Sequence, residues 1–146
     1  MDLKLKGKTA LVTGASAGIG RAIAKGLAAE GVRVCMAARR TALLEEVAAE
    51  IVREGHIKPE IEAVDLMQDS EPARLAGVAR EKLGCVDILV NAAGGSTEIE
   101  WMSAPDEKWL DMMTLNFTQI RRLTLAVVPG MIERKWGRII NITGKS

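Results

Sequence analysis

Thr13-Gly14-Ala15-Ser16-Ala17-Gly18-Ile19-Gly20 constrains the fold of this chain more than any other stretch, because it closes an apolar run and opens a helical one. Lys8-Thr9-Ala10-Leu11-Val12 reads as a short buried strand, and Ile19, Ile23 and Leu27 then recur at helical spacing over about 18–30. A glycine-rich turn between strand and helix is how an α/β protein holds the pyrophosphate of a dinucleotide. Gly14 permits the tight exit from the strand, Gly18 lets backbone approach phosphates without an intervening Cβ, and Gly20 lets helix and strand pack closely. The helix N-terminus supplies N–H donors and the positive end of a dipole. Glycines in a tight turn also serve positive φ alone, so the strand-turn-helix context carries the reading.

Strand-like and helical runs alternate through the rest of the chain. Val32–Ala37 reads as a second strand. Thr41 is placed to cap a helix buried through Leu44, Val47, Ala48 and Ile51. Ile57–Val64 reads as a third strand, Ser70-Glu71-Pro72 starts a helix carrying Leu75, Val78, Ala79 and Leu83, and Val86–Val90 reads as a fourth strand. A long helix capped near Asp106 and ending near Arg134 precedes a fifth strand, Arg138–Thr143. This alternation predicts a parallel sheet covered on both faces, wound in the doubly wound sense by right-handed crossovers. Ligands on such sheets sit beyond the carboxyl ends of the strands. The only histidine, His56, precedes the third strand and so belongs to the opposite edge.

The chain has 146 residues, enough for one domain, with 48% hydrophobic and 27% charged residues. A net charge of +1 gives no electrostatic case for nucleic acid or a membrane surface. No run reaches signal-peptide or transmembrane length, and Cys35 and Cys85 are isolated, so a cytoplasmic protein with reduced packing cysteines is expected.

Three further segments sharpen the reading. Asn91-Ala92-Ala93-Gly94 follows the fourth strand, Leu115-Asn116-Phe117 lies in the long helix, and Gly137-Arg138-Ile139-Ile140-Asn141-Ile142 forms the fifth strand. Together with the T-G-x-x-x-G-I-G turn, and at this spacing, the chain from about Gly7 onward resembles the short-chain dehydrogenase/reductase family. The resemblance implies an α/β fold: a Rossmann-type, three-layer α/β/α doubly wound sheet, here without the family's C-terminal strands and helices. It also implies hydride transfer between a nicotinamide cofactor and a carbonyl or alcohol substrate, a small molecule.

Carried over residue by residue, the resemblance places Ser16, Ala17, Gly18 and Ile19 along the adenosine ribose and pyrophosphate. It places Asp65 and the Leu66 N–H at the adenine, and Asn91, Ala92, Ala93 and Gly94 beside the nicotinamide-side ribose. Asn91 also suits a structural turn locking neighbouring strands, and Asp65 an ordinary polar strand end. NAD-preferring proteins place an acid after the second strand to accept from the ribose 2′-hydroxyl. Here Ala38 is followed by Arg39 and Arg40, guanidiniums suited to a 2′-phosphate, so NADP(H) is expected over NAD(H).

Of the family's catalytic groups, the asparagine that organises a proton-relaying water corresponds to Asn116. It falls on a helical stripe with Ile120, Leu123 and Val127, an amide in an apolar row that needs hydrogen-bond partners if buried. Gly144 falls where the family's serine belongs, with Thr143 one residue before and Ser146 two after, and the sequence contains no tyrosine. The resemblance therefore implies the cofactor-binding half of a reductase, with a non-catalytic dinucleotide-binding or regulatory protein as the alternative. It further implies a homo-oligomer paired through the long helix, with Met112, Met113 and Leu125 as candidate contacts. Thr143-Gly144-Lys145-Ser146 ends like a phosphate-binding Walker A loop, but that pattern needs glycine where Ile139 stands. Trp101, Trp109 and Trp136 are read as packing or subunit-contact residues.

Overall fold

A computed structural model describes every residue except Thr97, Glu98, Lys145 and Ser146. Strands and helices alternate as β1 (Thr9–Thr13), α1 (Gly18–Ala29), β2 (Arg33–Ala38), α2 (Thr41–Arg53), β3 (Glu60–Ala63), α3 (Glu71–Leu83) and β4 (Ile88–Asn91). After a 3-10 turn at Trp101–Ser103 come α4 (Asp106–Met113), a π-helical turn (Thr114–Thr118), α5 (Gln119–Arg134) and β5 (Arg138–Asn141). The five strands form one parallel sheet in the order β3-β2-β1-β4-β5. This is the doubly wound arrangement that the alternation predicts, and its order reverses between β1 and β4.

All five residues of β1 are buried, because both faces of the sheet are covered. Ala10 and Val12 pack on one side with Ala24 and Ala28 of α1 and Leu44 and Ile51 of α2. Leu11 packs on the other side with Leu75 and Ala79 of α3, Leu89 of β4, and Leu123 and Val127 of α5. Cys35 lies in this second layer, where burial pushes its thiol up to about 12.

Several expected boundaries shift for identifiable reasons. The third strand is four residues long, not the eight from Ile57 to Val64. It occupies the sheet edge and follows Pro59, which has no N–H for a ladder. Its two outward carbonyls are covered by cations: Lys82 Nζ donates to Ile61 O at 2.7 Å, and Arg74 Nη2 to Ala63 O at 3.0 Å. Arg74 also pairs with Glu62 and Glu71 and holds both carboxyls below their ordinary range. At the other edge all four residues of β5 are exposed. Thr41 is the first residue of α2 rather than its cap; Arg40 holds the cap position, and no side chain bonds there.

The largest departure is in the long helix. It starts at Asp106 and ends at Arg134 as expected, but the π turn interrupts it. A π turn adds a residue to the i→i−4 ladder and so rotates everything before it relative to everything after. The buried stripe of α5 is Gln119, Leu123, Val127 and Met131. Asn116, expected on the apolar stripe, is exposed.

Candidate functional site

Beyond the carboxyl end of β1 the backbone turns through Gly14 at φ +62°, and a Cβ there would meet Ala92 O and Ala93 N at 2.8 Å. The turn therefore lies flush against the segment that follows β4. At Gly20, in the first turn of α1, a Cβ would meet Gly14 C at 2.7 Å, so helix and strand approach as closely as backbone allows. Gly18 differs. Its φ is +56°, and nothing lies within 4 Å of where a Cβ would stand. Ala17 holds the cap position of α1 in extended conformation, with no side-chain cap and no acid in the first turn. The leading N–H groups of α1 are thus left to solvent or to an anion. Beside them Ser16 is half-buried, and Ile19 is 62% exposed, an unusual place for a large apolar side chain.

The segment after β4 is held by side chains that come from distant parts of the chain. Thr13 is fully buried, and its Oγ1 accepts from Ala92 N at 3.2 Å and Ala93 N at 3.1 Å. Asn91 is fully buried and donates from Nδ2 to Asn141 Oδ1 at 2.9 Å and to Thr124 Oγ1 at 3.4 Å. Its backbone oxygen accepts from Ile142 N, which makes Asn91 a lock between β4 and the end of β5. Gln119 Nε2 donates to Ala93 O at 2.9 Å.

Asn116 faces the same segment from the π turn. Its Oδ1 accepts from Gly95 N at 2.9 Å, and its Nδ2 donates to Gly95 O at 2.8 Å and to Met112 O at 3.2 Å. Both amide hydrogens are engaged, which leaves one lone pair on Oδ1 for a further partner. The π turn is what aims the amide at Gly95 and not into the core. A Cβ on Gly94 would touch Asn116 Oδ1 at 2.9 Å.

These elements border a cleft of about 920 Å³ lined by Ile19, Ala92–Gly95, Asn116, Phe117, Thr124, Asn141 and Ile142–Gly144, among others. Its position at the β1/β4 reversal is where doubly wound sheets take ligands. Gly144 brings no functional group to it, whereas Thr143 brings a hydroxyl; Lys145 and Ser146 lie outside the described residues.

The remaining candidates lie further along the same carboxyl edge and do not line this cleft. Val64 N donates to Ala38 O at 2.9 Å, which sets Asp65 and Leu66 beside the end of β2, where Arg39 and Arg40 are exposed. Asp65 is half-buried, and its Oδ1 accepts from Met67 N at 3.1 Å, the local turn of a polar strand end. The Leu66 side chain is buried in the core layer of α3. The sequence candidates thus divide into one group around the cleft and one beyond β2 and β3.

Thr13, Gln119, Asn141 and Gly95 hold roles here that the sequence motifs do not assign to them. Thr13 carries a faint signal, a threonine where a buried strand favours an aliphatic residue. Gln119 carries one only if the phase of the helix is known. Among the described residues no three His, Cys, Asp or Glu side chains gather as for a metal ion, and no helix is long and apolar enough to cross a membrane.

Residues 8–146 match the family model described as short chain dehydrogenase. A short chain dehydrogenase of Pseudocercospora fijiensis is 39% identical over 142 residues, covering 96% of this chain and 46% of that protein. L-sorbose reductase from Gluconobacter frateurii, solved with NADPH and L-sorbose, superposes with a TM-score of 0.91 at 37% identity, covering 97% of this chain and 54% of that one. A 7α-hydroxysteroid dehydrogenase solved with NADH superposes with a TM-score of 0.92 at 34% identity, covering 98% and 55%. The chain spans about half the length of these proteins.

Proposed function

The chain belongs to the short-chain dehydrogenase family, and from that premise we propose that it is the dinucleotide-binding part of an NADP(H)-dependent oxidoreductase acting on a carbonyl or alcohol substrate. The observation that carries the proposal is the mouth of the β1–α1 unit: an uncapped helix N-terminus behind a glycine turn, with open space in front of Gly18. Backbone N–H groups from Ser16 to Gly20 would bind the pyrophosphate there, and Ile19 would lay its exposed apolar surface on the ligand. Ala92, Ala93 and Gly94 would flank the nicotinamide-side ribose, and Asp65 and Leu66 the adenine. The cofactor supplies, when bound, a carbon that donates or accepts hydride. Asn116 contributes the remaining Oδ1 lone pair, enough to hold one water hydrogen at the cleft. Titration of the tryptophan emission with NADPH tests the proposal, and no response at millimolar NADPH or NADH would remove it.

Arg39 and Arg40 support NADP(H). Both are exposed at the end of β2, where a 2′-phosphate would lie, and neither Arg39, Arg40 nor Ala38 before them offers a carboxylate to repel it. Arg39→Ala should weaken NADPH by about 1–3 kcal/mol, as for a hydrogen bond to a charged group, and leave NADH nearly unchanged. Equal losses for the two cofactors in parallel titrations would refute the 2′-phosphate role.

The proposal includes self-association through the long helix, where Leu110, Met113, Phe117, Leu125 and Ile132 are exposed, with Met112 half-buried beside them. Exposed apolar side chains along one helix are suited to a contact surface. Sedimentation should find a dimer or larger species at micromolar concentration; a monomer at every concentration would exclude it. Gly144 favours a second reading, a protein that binds the dinucleotide without turning over a substrate. NADPH binding with no NADPH oxidation across a panel of ketones would support that reading over the first.

A further inference from the structure

Gln119 has no exposed surface and follows directly on the π turn. Its backbone N–H donates to Thr114 O, five residues back. In an uninterrupted α-helix the same N–H would serve Leu115 O, four residues back. Leu115 O instead receives Nε2 of the Gln119 side chain at 2.9 Å. The other hydrogen on Nε2 goes to Ala93 O, also at 2.9 Å. One primary amide thus replaces the rung that the π turn removes and reaches across to the segment after β4. The orientation of the amide follows, since the reverse would turn Oε1 against two carbonyl oxygens.

The consequence is a closed circuit of hydrogen bonds. Ala93 is gripped on its N–H by Thr13 and on its carbonyl by Gln119. Two residues on, both polar groups of the Gly95 backbone are taken by Asn116, which lies within the π turn. Without the Nε2 donors, the Gln119 N–H is free to return to Leu115 O and restore a continuous α-helix. That change rotates the preceding residues by about 100°, one helical step, and carries Asn116 off Gly95.

We propose that Gln119 is a positioning residue: it holds the π turn open and thereby keeps Asn116 on the Gly95 backbone, shaping the nicotinamide-side wall of the cleft. The proposal rests on the dinucleotide reading of that cleft and goes beyond it, because Gln119 is not among the residues lining it. Stability and positioning separate here. Gln119 Oε1 is buried with no partner, so an apolar replacement of similar volume removes an unsatisfied acceptor while it removes the two donated bonds.

The test compares the full chain with Gln119→Leu, and with Gln119→Met should leucine fail to fold. Urea unfolding, exchange of the Gly95 amide followed by NMR, and titration with NADPH and with adenosine 2′,5′-bisphosphate are measured on each. The expected result is faster Gly95 exchange by about tenfold or more, NADPH weakened about tenfold and the adenosine ligand unchanged. Unchanged Gly95 exchange overturns the proposal, as does an equal weakening of both ligands. Gly95 exchange is read without any ligand, so a wild-type chain that binds neither ligand defeats the dinucleotide reading while Gln119 is still judged.

Discussion

Gly20→Val should destabilise the protein by about 3 kcal/mol or more, because a side chain at this position has nowhere to go. Its Cβ would stand against Gly14 O, 2.7 Å from Gly14 C and 3.1 Å from Thr13 O. These are backbone atoms at the end of a strand buried on both faces, and they cannot swing aside as the tip of a flexible side chain can. Relief requires α1 to lift from the sheet, which opens the contacts of Ala24 and Ala28 with β1. Overpacking a well-filled interior costs about 1–3 kcal/mol, and more when backbone must move. Urea unfolding followed by circular dichroism reads the loss. Gly26, on the same helix with nothing within 4 Å of its Cβ position, is the internal control. Gly26→Ala should hold or raise stability by about 0.5–1 kcal/mol. A Gly20→Val midpoint equal to wild type would mean that the turn and helix are not in contact as described.

Gly18→Val should have the opposite profile, a modest loss of stability and a nearly complete loss of dinucleotide binding. A β-branched residue at φ +56° is strained, at about 1–2 kcal/mol. No protein atom obstructs its Cβ, however, so the fold survives. The obstructed partner is the ligand: the new methyl groups fill the space that pyrophosphate would need over the start of α1. A rise in the Kd for NADPH of at least about 100-fold, roughly 2.7 kcal/mol, is expected from parallel titrations. Binding within threefold of wild type would place the phosphates elsewhere on the molecule. The two glycines lie two residues apart in one motif, yet a side chain on Gly20 would meet strand backbone and one on Gly18 would meet open space.

That division was only half legible in the amino-acid sequence. The strand-turn-helix signature, the alternation of elements and the residues following each strand could all be read, because each depends on neighbours a few positions apart. The edge strand is shorter than the alternating stretch from Ile57 to Val64 suggests, since Pro59 and a single neighbouring strand limit how far pairing extends. The long helix was recognised along its whole length, yet its phase was lost at the π turn. Periodicity assumes a constant rotation per residue, and one inserted residue shifts every face beyond it. For that reason the buried amide is Gln119, and Asn116 points at the Gly95 backbone.

Local chemistry was sufficient for the parallel α/β architecture and for the open space ahead of Gly18, because turn glycines, helix starts and apolar spacing act over single turns of chain. Tertiary packing alone decided how the cleft is held. Thr13 grips Ala92 from 79 residues away, and Asn91 meets Asn141 from 50. Such bonds form only when β1, β4 and β5 lie side by side, and no spacing along the chain encodes which of many hydroxyls and amides will find one another.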